Sequence, residues 1–356
     1  MSDAFRTLLK KVGSGAHTSD TLSREEAATA TRLMLQGEAT PAQIGAFMIA
    51  HRIRRPEPVE LAGMLDAYDQ LGPALAPTKT SYLPTIFSMP YDGRSRTAPV
   101  SPLTTLILLA AKAPVVLHGG DRMPTKYGLP LIEIWQKLGL PLHLLNFDQA
   151  QQLFAATGFG FVYQPNHFPM AQTLVPYRDQ IGKRPTIATV ELMWSPCCGS
   201  HHLVMGFVHP PTEDRAQVTY ALREQSFYTT VKGLEGSCDL PRSRTAIIGL
   251  MNPGSTELER LLLHPRDFGL AGKDVSDLPV AELAVAIESA LAGEITPLAQ
   301  SAIWNGGFYL WRCGAADSID AGLTLAKALL TDGKAQTALN DVKQAIASLT
   351  AIPVAP

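Results

Sequence analysis

The stretch LSREEAATATRLMLQGEATPAQIGAFMIAHRIR, residues 22–54, reads as two capped helices in succession. Ser23-Arg-Glu-Glu26 has the form of a capping box. The hydroxyl can accept from the backbone N–H three residues on, and the carboxylate there can reach back to the cap. Gly37 ends that helix. Thr40-Pro-Ala-Gln43 opens the next, with Pro41 at the first helical position, where its missing N–H costs nothing. Ile44, Phe47 and Met48 mark an apolar face at i, i+3, i+4. That face suits either a plain helical core or a seam with a second copy. With a further helix expected over Pro58–Leu71, residues 1–72 read as a small, wholly helical domain. Residues 72–81, with Pro73 and Pro77 and no helical pattern, read as a linker.

From Tyr82 the texture changes. Short apolar runs predict strands at Leu83–Ser88, Pro114–Leu117, Leu203–Val208, Phe227–Val231 and Ala246–Leu250. Helical patterns lie between them at Leu103–Ala111 and near Leu129–Leu138. This alternation implies an α/β domain over residues 82–356, built on a central, mostly parallel sheet. A block at Phe168–Met193 reads helical again and is expected to return to the N-terminal helices. Helices are also expected from Val280 to Leu349. There Asn305-Gly-Gly-Phe308, with Tyr309 and Trp311, reads as core, and Gly306-Gly307 as a place where helices approach closely.

The chain has 356 residues, 46% hydrophobic and 17% charged, with net charge −2. It can bury a large core, and a balanced total charge can hide a local basic patch. Four cysteines, two of them adjacent, argue against a disulfide framework and for a reducing compartment. MSDAFRTLLKK lacks an apolar run of signal-peptide length, and no stretch approaches the ~20 apolar residues of a membrane span. A soluble cytoplasmic protein with no membrane partner is expected. Cys197-Cys198-Gly-Ser-His201-His202 has the wrong spacing for a zinc site. Cations in His51-Arg-Ile-Arg-Arg55 suit a helix C-terminus, and a nucleic-acid track there lacks aromatic interleaving.

The chemistry is expected where the first strand gives way to a helix, at FSMPYDGRSRTAPVSP, residues 87–102. A strand-to-helix turn at a sheet edge is a common phosphate site, usually glycine-rich so that backbone N–H groups close on the anion. This turn has one glycine, Gly93, and three prolines, with Arg94 and Arg96 between them.

Taken together, LLKK, the stretch quoted first, APVVLHGG…KYG and AIWNGGFYLWRCGAADSIDAGLTLAKALLTDGKA resemble the anthranilate phosphoribosyltransferases, glycosyltransferase family 3. The likeness runs in order along nearly the whole chain. It implies a phosphoribosyltransferase-like fold, a homodimer through the helical domain, Mg²⁺, and phosphoribosyl pyrophosphate (PRPP) as substrate. In that family a Gly-Thr-Gly-Gly-Asp-Gly loop holds the pyrophosphate, and here Ser88–Gly93 matches it with three of the four glycines gone. Of the Asn-Ile-Ser-Thr that follows, Ser101 survives. In the next motif His118, Gly119, Lys126 and Gly128 match. The family's acceptor-side arginine matches Arg178, and its metal-binding acidic pair falls on Cys238-Asp239, leaving Asp239 as the one metal carboxylate. The pattern is similar to the divergent second class of anthranilate phosphoribosyltransferase-like proteins. There a Tyr-x-Gly followed by basic residues, here Tyr91-Asp92-Gly93-Arg94, replaces the glycine loop, and some members are nucleic-acid-binding homodimers.

Three functions follow as expectations. The first is a non-catalytic polyanion binder, for single-stranded nucleic acid, without a cofactor. It would use Arg94, Arg96, Arg122, Lys126, Arg178 and Lys183–Arg184, with Tyr91 stacking on a base. The second is a PRPP-dependent transferase to anthranilate or another aromatic acceptor, using Mg²⁺. The third is a ligand-free structural dimer. His118 serves either as an acid/base or phosphate contact, or as a structural histidine bonded to a neighbouring loop.

Overall fold

The structure is a computed structural model that describes residues 3–15 and 17–350. Met1 and Ser2 of the N-terminal stretch lie outside the described residues. Four helices come first: α1 (Asp3–Gly13), α2 (Arg24–Leu35), α3 (Pro41–Arg54) and α4 (Pro58–Leu71). Both expected capping boxes form. Ser23 Oγ accepts from Glu26 N at 3.1 Å while the Glu26 carboxylate accepts from Ser23 N at 2.7 Å, and Thr40 and Gln43 repeat the exchange. Ile44, Phe47 and Met48 are buried within the chain, and the Phe47 ring meets Phe5 of α1 at 5.4 Å. They belong to this chain's own core, which removes them as a seam with a second copy.

The chain then runs β1 (Thr85–Ser88), α5 (Ser101–Ala110), β2 (Val115–Gly119), α6 (Leu131–Lys137), α7 (Phe147–Thr157) and β3 (Phe159–Tyr163). Four short helices follow: α8 (Gln164–His167), α9 (Pro169–Gln172), α10 (Val175–Gln180) and α11 (Ile187–Glu191). Next come β4 (His202–Gly206), α12 (Pro210–Leu222), β5 (Tyr228–Val231), β6 (Ala246–Met251) and β7 (Glu259–Leu263). The chain closes with α13 (Val280–Leu291), α14 (Pro297–Arg312), α15 (Ile319–Thr331) and α16 (Lys334–Thr350).

One seven-stranded sheet has the order β3-β2-β1-β4-β5-β6-β7. Strands β1 to β5 pair in parallel, whereas β6 and β7 pair antiparallel. The sheet is thus mostly parallel with an antiparallel edge, because no α-helix lies between β5 and β7 to carry the chain back across a face. Side chains alternate between two cores. Ile86, Val116, Leu203 and Met205 face α1–α4 and the helical block that follows β3, whereas Phe87, Leu117 and Val204 face α5, α6 and the C-terminal helices. The block's Phe168 and Trp194 close against Tyr68 of α4, with ring centroids 5.2 and 5.7 Å away. Among the described residues no helix is long and apolar enough to cross a membrane.

In α14, Trp304, Phe308 and Tyr309 are core residues. Gly307 is needed for close approach, since a Cβ there would sit 2.6 Å from Leu323 Cα of α15. Gly307→Ala is expected to cost about 1–3 kcal/mol through this overpacking. It would be read as a lower urea midpoint at an unchanged m-value.

Candidate functional site

Strand β1 lies between β2 and β4, so strand order reverses there, and the loops at the carboxyl ends of these strands flank a crevice. The loop after β1 and the loop after β2 are stitched together by backbone. Arg94 N donates to Leu129 O at 3.2 Å, Leu129 N to Arg94 O at 2.7 Å, and Gly128 N to Asp92 O at 2.9 Å. Gly93 makes this possible. Its φ is +76°, and a Cβ there would lie 2.5 Å from the Gly128 carbonyl carbon.

The anion that the first loop holds is a side chain of the chain itself. The Glu235 carboxylate, from the turn after β5, accepts from three successive backbone N–H groups: Ser95 at 3.2 Å, Arg96 at 3.0 Å and Thr97 at 3.0 Å. The Thr97 and Ser95 hydroxyls add donors at 2.9 and 3.3 Å, and Arg94 Nε adds another at 3.3 Å. Lys126 Nζ lies 3.7 Å from the same carboxylate. Successive N–H groups converging on one point make an anion-binding concavity. Burial alone would raise the Glu235 pKa, but the Arg96 N–H, the Arg94 charge and the Thr97 hydroxyl outweigh it and hold the pKa down to about 2.

Arg94, read from the sequence as a free phosphate fork, is 5% exposed and fully engaged. Its Nη1 donates to Asp239 Oδ2 and to Ser237 Oγ, both at 2.8 Å, and its Nη2 donates to Thr97 Oγ1. Asp239 also accepts from Val100 N at 2.9 Å. Lys126 donates to Gly93 O at 3.0 Å, and burial pulls its pKa down. Asp92 pairs with Arg184 and lies 3.8 Å from Lys126. Three carboxylates, Asp92, Glu235 and Asp239, therefore balance three cations, Arg94, Lys126 and Arg184.

Tyr91 does not offer its ring to a base, since it is buried and its hydroxyl lies 2.6 Å from His118 Nδ1. His118 Nε2 lies 3.2 Å from Ser88 Oγ, which donates to Trp194 O at 3.3 Å. The chain of bonds is consistent with an Nε2-protonated tautomer: Tyr91 donates to Nδ1, Nε2–H to Ser88, and Ser88 to the carbonyl. Burial pushes the His118 pKa down to about 3, so the ring stays neutral and serves as a structural link to the neighbouring loop. Arg178, read as an acceptor-side arginine, is buried in an ion pair with Glu191, and its Nη1 lies 3.4 Å from Met123 Sδ.

Of the remaining sequence candidates, Ser101 is buried at the start of α5. A Cβ on Gly119, at the end of β2, would meet nothing within 4 Å. Arg122 pairs with Glu133 at 2.7 Å, at the surface. Arg96 gives its N–H to Glu235 while its side chain is exposed. Among the described residues no cluster of three His, Cys, Asp or Glu could hold a metal. Asp239, the carboxylate matched to the metal position, is already ion-paired to Arg94, and this donor set does not fit a resident divalent cation.

Two features escaped sequence reading. Glu235 stands between Gly233 and Gly236 in a turn at the same sheet edge, and that placement was its only signal. The second is a cleft of about 960 Å³ between the end of α3, the segment joining α10 to α11, and the start of α12. Arg52, Arg55, Lys183, Arg184 and Arg215 line it, together with His209 and without a carboxylate among its lining residues. The cations at the end of α3 therefore divide: Arg54 turns inward onto buried Glu60, while Arg52 and Arg55 open onto the cleft.

Arg94→Ala would leave Asp239 buried without its partner and is expected to cost about 3–5 kcal/mol in denaturant unfolding. Glu235 titrates near 2 when folded against an ordinary 4.5, so its stabilisation is present above about pH 4.5 and is lost as pH falls towards 2. The acid limb of the melting-temperature profile is expected to be shallower in Glu235→Gln over that window.

Residues 6–72 match the helical bundle domain of the glycosyl transferase family, and residues 92–336 match its a/b domain. The anthranilate phosphoribosyltransferase of Polynucleobacter necessarius is 25% identical over 90% of this chain and 92% of its own. That of Methylibium petroleiphilum is 27% identical over 86% and 88%. Anthranilate phosphoribosyltransferase of Thermus thermophilus superposes with a TM-score of 0.78 at 20% identity, covering 98% of this chain and 100% of that one. The Saccharomyces cerevisiae protein, solved in complex with PRPP and Mg, gives 0.81 at 16%, over 97% and 98%. These two structures carry the likeness of fold. With a helical bundle and an a/b domain both matched in order, the chain belongs to the glycosyl transferase family, among the relatives of the anthranilate phosphoribosyltransferases.

Proposed function

We propose that this chain is an anthranilate phosphoribosyltransferase-like protein that binds polyanions, nucleic acid foremost, along its cationic cleft. The observation that carries this reading is the lining of that cleft, where Arg52, Arg55, Lys183 and Arg215 surround about 960 Å³ with no carboxylate among the lining residues, while Arg184 beside them is held on Asp92. Such a lining neutralises phosphates and gains from counterion release. It holds no Phe, Tyr or Trp, so binding is led by phosphate with little reading of bases. A net charge of −2 is compatible with it, because the field that steers a phosphate chain is local. A homodimer through the helical domain, as the resemblance implies, places two such clefts on one particle and makes long strands bind more tightly than short ones. Sedimentation velocity of the purified chain tests the dimer.

The competing reading is PRPP-dependent transfer to an aromatic acceptor, favoured by the end-to-end similarity to transferases. Against it stand a loop whose successive N–H groups already hold Glu235 and a Pro90 that has no N–H to give. Losing even one transition-state donor costs roughly 10²–10³ in rate.

One set of titrations separates the two readings: a single-stranded oligonucleotide and a duplex at two salt concentrations, and PRPP with Mg²⁺ by calorimetry. Oligonucleotide affinity is expected to fall steeply with salt, by a log–log slope of about −0.7 per phosphate neutralised on a single strand. The double reversal Arg52→Glu/Lys183→Glu is expected to weaken binding by more than about tenfold and to flatten that slope. A salt-independent affinity, or saturable heat from PRPP–Mg²⁺, overturns the binding reading in favour of the transferase.

A further inference from the structure

A second cavity lies at the other end of the sheet, by the amino-terminal ends of β4 and β5. It encloses about 240 Å³ between α4, α12 and the segment that leads from α11 into β4. Leu65, Met193, Trp194 and Leu203 give it apolar walls. Three further lining residues carry buried polar atoms that have no hydrogen-bond partner among the described residues: Ser195 Oγ, His201 Nε2 and Tyr220 Oη. Tyr220 is 1% exposed. Buried polar groups are nearly always paired, so three unmet ones around one cavity call for an explanation. His201 Nδ1 lies 2.9 Å from Gly199 O, which makes it the protonated nitrogen and leaves Nε2 a bare acceptor. Burial lowers the His201 pKa, so the ring is neutral near pH 7. The charged residues at the cavity, Asp69 and Arg223, pair with each other, and Arg223 also holds Asp66. Exposed Ala74 and Cys198 stand at its mouth.

We propose that this cavity binds a small uncharged ring compound of the phenol class, which donates its hydroxyl to His201 Nε2. An acceptor without a proton of its own needs a ligand that donates. The Ser195 and Tyr220 hydroxyls can each donate or accept, and so complete the ligand's bonds. The apolar walls favour a ring, and the volume sets its size. An engineered cavity of about 150 Å³ takes benzene, so about 240 Å³ takes one six-membered ring with a substituent. An anion is disfavoured, because Arg223 already faces two carboxylates. Water would satisfy the three polar atoms but leave the apolar walls wet, whereas a phenol meets both. The site also gives a place to the Cys197–His202 motif, whose spacing does not suit zinc: Cys197, Cys198 and His201 all line this cavity. The inference goes beyond the cleft reading and does not rest on it, because the cavity and the cationic cleft share no lining residue.

The test titrates the full chain calorimetrically with phenol and with toluene, which has a similar shape without the hydroxyl. Alkylation of Cys198 by iodoacetamide is followed by peptide mass spectrometry with and without phenol. Phenol is expected to bind saturably and at least about tenfold more tightly than toluene, because a site built to hydrogen-bond rejects an analogue that leaves its polar atoms unmet. Bound phenol is expected to slow alkylation of Cys198 at the cavity's mouth. These two measurements need no variant. Ser195→Ala and Tyr220→Phe each remove one hydroxyl, and either serves if the other fails to fold. A folded variant is expected to lose at least about threefold in phenol affinity while its toluene affinity holds. Three results overturn the proposal. The first is no saturable binding of phenol, which would leave the cavity to ordered water. The second is toluene bound as tightly as phenol. The third is phenol affinity unchanged in the folded variants with Cys198 alkylated at its original rate, which would place the phenol elsewhere. No oligonucleotide enters these measurements, so failure here is not mistaken for failure of the cleft reading.

Discussion

The carboxylate of Glu235 and the backbone donors of residues 95–97 are the interaction on which the whole sheet edge depends. Successive N–H groups that point the same way are a fixed positive site, and leaving them empty at a half-buried edge has a cost. This chain meets that demand with one of its own side chains. Arg94 can then lie almost wholly out of solvent, since Asp239 and Glu235 flank it, and Lys126 can approach the Gly93 carbonyl. Remove the carboxylate and the neighbouring charges no longer sum to zero.

The packing beneath gives this edge little freedom. Alternation along β1, β2 and β4 splits the apolar side chains between two cores, so the sheet is gripped on both faces. The helical block after β3 adds Trp194, whose ring meets His118 at 5.5 Å and whose carbonyl receives the Ser88 hydroxyl. Tyr91, His118 and Arg178 are thereby held inside the structure. The accessible positive charge is displaced outward to the seam between α3, the α10–α11 segment and α12, where no carboxylate lines the surface. The result is one scaffold with a closed edge and an open cationic cleft beside it.

Much of the fold was legible in the sequence because local chemistry and global packing agree in it. Both capping boxes in residues 22–43 form as written, and the helix starts and stops follow from them. The apolar runs at β1, β2, β4, β5 and β6 were short and bounded by turn residues. Strand β7, Glu259–Leu263, escaped because it is an edge strand with an exposed, charged start that carries little apolar signal. Strand β3 escaped because Phe-Gly-Phe-Val-Tyr follows directly on a helix ended by Gly158. In the site, residue types were legible but partnerships were not. Arg94 and Arg178 were recognisable as cations, yet their partners Asp239 and Glu191 stand 145 and 13 residues away along the chain, and only the fold brings them together. Arg52 and Arg55 suited a helix terminus on dipole grounds alone, and nothing local announced that Lys183 and Arg215 would face them.

Hydrogen exchange mapped across the chain with a bound oligonucleotide tests most directly where anions meet this protein. Protection is expected at the end of α3, at residues 182–189 and at the start of α12, with residues 88–101 unchanged. Protection confined to residues 88–101, with the cleft segments unaffected, would contradict a closed edge beside an open cationic cleft.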